Sequence, residues 1–142
     1  MKRGYEFLSH TADAKFRAFG STLEEAFEEA ASAMLSLMWD VRTLSGTQIV
    51  EKEFEGKDHH QLLVQYLEEI LYLLDARFFL VARAQVVETG ETEGRPWLRS
   101  RFSGQMKDDA TIVHGEVKAV TYSEMDIRRN PGSVVVQVVV DL

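Results

Sequence analysis

The sequence contains no cysteine, which excludes a disulfide framework and any metal site built on thiolates. That fits a reducing compartment without requiring one. No apolar run reaches the ~18 residues that a membrane-spanning helix needs. The opening Met1-Lys2-Arg3-Gly4-Tyr5-Glu6 lacks an apolar stretch followed by a small-residue cleavage site, so no secretory leader is expected. Basic residues are the minority, 16 against 23 acidic ones, for a formal net charge of -7. Phosphate backbones repel such a chain unless its basic residues cluster on one face. Stable direct nucleic-acid binding is therefore not expected, and a basic protein or a cation is the more natural partner. Also missing are the glycine-rich phosphate loop, the zinc-protease helix motif and the serine-hydrolase nucleophile turn. No repeat, low-complexity tract or linker interrupts the 142 residues, and that length fits one domain, 1–142.

What is present is ordered periodicity. Alternation predicts strands over 5–8 and 14–19. Ser21 and Thr22, each followed three residues later by a glutamate (Glu24, Glu25), carry the signature of a helix start, in which hydroxyl and carboxylate satisfy free backbone N–H groups. Leu23, Phe27, Ala30, Met34, Leu37 and Met38 then recur at helical spacing, so the helix is expected to run to about Met38. A strand is expected over 47–55, ended by Gly56. Asp58 and Gln61 open a second helix, whose apolar positions from Leu62 to Leu74 cover so broad a face that it should pack against sheet. Beyond Asp75 the period changes to two, with strands expected over 78–88, 97–104, 116–122, 125–129 and 133–140. Breaks are expected at Gly90, at Gly94-Arg95-Pro96, at Lys107-Asp108-Asp109 and at Asn130-Pro131-Gly132. The order β-β-α-β-α and then only strands predicts an α+β domain, two helices packed on a mostly antiparallel sheet layer.

Three places carry residues capable of chemistry. His10-Thr11-Ala12-Asp13 lies between two strands, where Asp either caps the turn or coordinates a cation. At the other end, Ser133 to Val140 is almost unbroken β-branched sequence, as in a strand covered on both faces. Asp141 and Leu142 follow, bringing a side-chain carboxylate beside an α-carboxylate. Such a pair is either solvated or bridged by a hard cation such as Ca²⁺, Mg²⁺ or Mn²⁺. On a strand over 116–122, Val117, Ala119 and Thr121 would face one way and Glu116, Lys118, Val120 and Tyr122 the other. Lys118 is then either half of an exposed pair with Glu116, worth ~0–1 kcal/mol, or an ammonium positioned to meet a carboxylate or phosphate. Two weaker features remain. His59 and His60 are expected on different, solvated sides of a helix start. Arg95, Arg99 and Arg101, alternating with Trp97, form either a charged sheet face or an RNA-contacting stripe.

His10-Thr11-Ala12-Asp13, the run Thr22 to Ala31, Leu71-Tyr72-Leu73-Leu74-Asp75, Glu116 to Tyr122 and Val139-Val140-Asp141-Leu142, in this order over essentially the whole chain, resemble the archease family. The resemblance implies a non-enzymatic cytoplasmic activator of an RtcB-type RNA ligase in tRNA splicing, promoting guanylylation of the ligase histidine and multiple turnover. It further implies a divalent-metal site, with calcium among the candidates. Asp13 matches the family's motif aspartate, and Asp141 and Leu142 match its terminal ligands. Asp40 matches an acidic or amide position near that site in some members. Lys118 matches the motif lysine. Two departures stand out: Ser9 occupies a position where members often carry Asp or Glu, lowering the charge expected around the metal. The Lys-His pair that commonly precedes the lysine motif is replaced by Asp109-Ala110-Thr111-Ile112, with His114 displaced. The competing reading of the same carboxylates is a stand-alone metal-dependent hydrolase or phosphatase built around Asp13 and Asp141.

Overall fold

The structure, a computed structural model, describes residues 2–10 and 13–142. Its elements are β1 (Gly4–Leu8), β2 (Ala14–Gly20), α1 (Leu23–Ser36), a 3-10 turn (Val41–Thr43), β3 (Gln48–Glu55), α2 (His59–Arg77), β4 (Phe79–Thr92), β5 (Arg95–Met106), β6 (Ala119–Asn130) and β7 (Ser133–Asp141). The fold is α+β, and its strands divide into two antiparallel sheets. One has the order β1-β2-β7-β6, the other β3-β5-β4. Each helix touches both sheets, α1 through β2 and β4, α2 through β6 and β4. A helix covered from two sides must be apolar around much of its circumference. In α1, Leu23, Ala26, Phe27, Ala30, Ala31, Ala33, Met34 and Leu35 are all buried, the alanines letting sheet approach closely.

Both helix starts form as their sequences predict. Thr22 Oγ1 accepts from the Glu25 amide at 3.2 Å, and Glu25 Oε1 accepts from the Ser21 amide at 3.1 Å. Asp58 Oδ1 accepts from the Gln61 amide at 2.8 Å, while Gln61 Oε1 reaches back to the Lys57 amide at 2.7 Å. These bonds satisfy donors that no helix can pair internally.

Several expectations need correction. The first helix stops at Ser36 rather than Met38. Its last turn tightens, with the Leu37 amide donating to the Met34 carbonyl and the Met38 amide to the Leu35 carbonyl. Met38 and Trp39 stay in the core nonetheless, because Trp39 forms a bridge to Val113 and its indole N–H donates to the Val81 carbonyl at 3.0 Å. Gly90 is not a break: β4 runs through it to Thr92, and a Cβ there would lie 2.5 Å from the Trp97 ring, which uses the gap. The chain reverses instead at Glu93 and Gly94, both at positive φ, as a two-residue hairpin requires. The strands expected over 116–122 and 125–129 are one strand, β6, whose register slips between Thr121 and Asp126. Finally, β7 is central but not covered equally on both faces. Val134, Val136, Val138 and Val140 face the core, whereas Val135 and Gln137 are half-exposed. Its β-branched run reflects pairing with neighbours on both edges.

Candidate functional site

The register of the four-stranded sheet determines what meets what at one end of the molecule. Ala14 pairs with Val140 across β2 and β7, so Asp13, the residue before it, enters the sheet at the end where Asp141 leaves. On the other side of β7, Ala119 pairs with Asp141, and the Lys118 amide donates to the Asp141 carbonyl at 2.8 Å. Residues from three distant stretches of chain thus gather at one sheet end. Asp13 and Asp141 are half-buried, and neither takes part in an ion pair among the described residues. Thr11 and Ala12, the middle of the motif that supplies Asp13, lie outside the described residues.

Lys118 does not sit on a strand. Glu116, Val117 and Lys118 precede β6, and the expected alternation fails there, since Val117 and Val120 are both buried while Lys118 is exposed. The expected pairing of Lys118 with Glu116 does not form, and among the described residues Lys118 has no carboxylate within ion-pair reach. Its ammonium is left available to a partner. It lines a groove between this segment and the end of α2.

Asp40 stands apart. It caps the 3-10 turn through the Arg42 amide (3.0 Å), and both its oxygens bind the Arg42 guanidinium, at 3.0 and 2.9 Å. Those hydrogen bonds, side chain foremost, hold its carboxyl below the usual range. A carboxylate so occupied is a poor donor to a metal, and it lines a second groove with Arg42, Tyr5 and His114. His114 itself is a structural hook, its ring facing the Ser36 carbonyl at 3.0 Å and its amide donating to the Met38 carbonyl at 2.8 Å.

The donor set at the sheet end consists of oxygens alone, the chemistry hard divalent cations take. It is a partial shell. Among the described residues no three His, Asp or Glu side chains group to hold a metal. The described residues place two side-chain carboxylates, those of Asp13 and Asp141, at this end of the sheet.

One contributor escaped sequence reasoning. Glu124 lies in the slipped stretch of β6 at positive φ. From there its carboxylate binds Lys15 Nζ and His10 Nε2, each at 3.1 Å, so that it holds residues on both sides of Asp13 in sequence. These contacts also keep the Glu124 carboxyl below its ordinary pKa, the Lys15 hydrogen bond first. Its only signal was the failure of alternation at Ser123-Glu124 between two clean periodic runs.

Residues 5–142 match the model of the Archease protein family (MTH1598/TM1083). The chain belongs to that family. It is 38% identical to the protein archease of Methanosarcina mazei over 139 residues, covering 97% of this chain and 95% of that protein. It is 37% identical to the Pyrococcus furiosus archease over 142 residues, covering 99% of each. The solution structure of protein 1598 from Methanobacterium thermoautotrophicum superposes with a TM-score of 0.83 at 33% identity, over 98% of this chain and 99% of that one. A crystallised archease from Thermotoga maritima, described as a possible chaperone, shares the fold with a TM-score of 0.59 at 18% identity, over 95% and 94% of the two chains. Archease membership thus covers the sheet end just described, from Asp13 on β2's approach to Leu142.

The remaining candidates lose force against the geometry. Each arginine of the β5 stripe has a glutamate partner, Arg95 with Glu55 (2.6 Å), Arg99 with Glu88 (3.4 Å) and Arg101 with Glu51 (3.5 Å). That face is charge-balanced rather than a free cationic strip. His59 and His60 are half-buried rather than solvated, and His59 lies 3.3 Å from Arg129. Among the described residues no helix is long and apolar enough to cross a membrane.

Proposed function

We propose that this chain is a non-enzymatic, metal-binding activator of an RtcB-type RNA ligase, working in the cytoplasm in tRNA splicing or RNA repair. The observation that carries this reading is the sheet register, which gathers Asp13, Asp141 and Lys118 at one end although more than a hundred residues separate the first from the others. Asp13 and Asp141, with Leu142, act as oxygen donors to a divalent cation (Ca²⁺, Mg²⁺ or Mn²⁺). When bound, such a cation supplies positive charge for phosphate oxygens. Asp141 is held by the amide of Lys118, so the strand end keeps its place while the ammonium of the same lysine stays free to pair. Lys118 then meets a ligase carboxylate or a nucleotide phosphate as a point charge. The incomplete donor shell suits a site finished by its partner, which is what an accessory factor needs.

The test is a guanylylation time course of the purified cognate ligase with GTP. The wild-type chain accelerates it, and Lys118→Ala and Asp13→Asn each lower the acceleration at least tenfold. Lys118 is exposed, so its substitution should move stability by no more than ~0.5 kcal/mol. The chain alone turns over neither GTP nor generic phosphoesters. A ligase indifferent to the wild-type chain removes the activator reading, and turnover by the chain alone replaces it with the hydrolase.

A further inference from the structure

The groove that Lys118 lines is 490 Å³ in volume and runs between the C-terminal end of α2 and the segment before β6. Leu71 and Leu74 contribute apolar surface from the helix. At its rim stands Phe78, the cap of α2, in the left-handed conformation (φ 53°, ψ 35°), with its amide donating to the Leu73 and Leu74 carbonyls. Glycine takes this position without steric cost, and asparagine tolerates it, whereas a bulky aromatic is disfavoured there. A phenylalanine would be tolerated if its ring were buried, but this one is 62% exposed. The backbone thus keeps an unfavourable residue whose ring is mostly exposed. Unfavourable backbone conformations of this kind collect at functional positions. Two more exposed apolar residues lie alongside: Met106, which pairs with Phe79, and Val113, which lines the same groove.

Four charged side chains line the groove: Asp75, Lys107, Glu116 and Lys118. Among the described residues none of them is in an ion pair, although ten such pairs form elsewhere on the molecule. Two of each sign give no net attraction for a polyphosphate or a nucleic acid, whose binding rests on excess positive charge. Apolar surface with an aromatic anchor, set among unpaired charges of both signs, is the make-up of a protein-docking surface. We infer that this groove seats a segment of the partner protein, with an apolar side chain on Leu71, Leu74 and Phe78 flanked by charged residues that pair with the four lining groups. The inference rests on the ligase-partner reading above and extends it. Continuity through Lys118 sets the docking surface directly beside the sheet-end carboxylates.

The experiment measures affinity of the full chain for the purified cognate ligase, together with the melting temperature, for wild type, Phe78→Gly and Phe78→Asn. Both variants should melt at or above the wild-type temperature, because they suit the left-handed cap, yet their Kd for the ligase should rise at least tenfold. Tyr72→Ala, which removes another exposed aromatic, on α2 and outside the groove, should leave Kd unchanged. A residue with a purely structural role cannot raise stability and lose binding when replaced. Wild-type affinity in both Phe78 variants overturns the docking groove while leaving the ligase reading intact. Self-association of the wild-type chain that Phe78→Gly abolishes, with ligase affinity unmoved, overturns it in favour of a second copy of the chain. If the wild-type chain does not bind the ligase, the partner reading itself fails and takes the groove with it.

Discussion

His59 illustrates how a side chain's surroundings outweigh its type. As the first residue of α2 it would ordinarily be solvated, but here it packs into a crevice with Leu23, Leu62 and Trp97. Burial first, and then the neighbouring Arg129 charge, hold its pKa below the ordinary 6.5, against weaker opposite pulls from Glu91 and Asp58. The folded state therefore accepts a proton less readily than the unfolded chain. As the pH falls through 6.5, the unfolded chain gains the proton first, and stability is lost progressively down to the folded-state pKa. Urea titrations from about pH 7.5 to about pH 5.5 should show this loss in wild type. In His59→Gln the stability should fall less steeply, and equal slopes would remove His59 as the source.

At the scale of elements, the close approach of β4 and β5 depends on a position that tolerates no side chain. Gly104 pairs with Gln48 on one side and Val81 on the other, so it lies mid-sheet, and a Cβ there would collide with the Leu80 carbonyl oxygen. Backbone cannot step aside as a flexible side chain can, and the neighbouring register slip between Val81 and Arg83 leaves little slack. Gly104→Ala should cost about 1–3 kcal/mol, the range for overpacking a filled interior, read as a lower urea midpoint with the slope unchanged. A wild-type midpoint would mean that β4 and β5 separate at no cost. The same reasoning explains Gly90, which reads as a turn signal in isolation. A glycine inside a strand can mark a close approach as well as a break, and only the position of Trp97, its partner across the β4–β5 hairpin, decides between them.

At the scale of the whole molecule, the proposed site joins the two ends of the chain, so it is sensitive to what is attached at one of them. If the oxygens of Leu142 are donors, a short polar extension after Leu142 should weaken divalent-cation binding at least tenfold in calorimetry. The last strand should still pair, because its partners begin at Asp141 and run inward. An extension before Met1 should change neither. Equal affinities for the extended and unextended chains would take Leu142 out of the site and leave Asp13 and Asp141 to be tested alone.

Helix starts, the apolar stripes, the turn chemistry at Asn130-Pro131-Gly132 and the order of elements were legible in the sequence because each is decided by residues a few positions apart. Motif order along the chain likewise pointed to the archease family, which the comparisons bear out. What only the tertiary structure decided is whatever depends on register and on the packing of distant segments. Glu116 to Tyr122 alternates well enough to read as a strand, yet Lys118 lies outside one because Ala119 is the first residue with a β7 partner. Asp40 carries the same carboxylate as Asp13, but Arg42 claims it. Glu124 acquires its role from a three-residue excess of β6 over β7, which sends its carboxylate across to Lys15 and His10. Local pattern sets which elements form. Pairing across more than a hundred residues, where a shift of one position turns every side chain to the other face, sets which carboxylates and ammoniums are free to act.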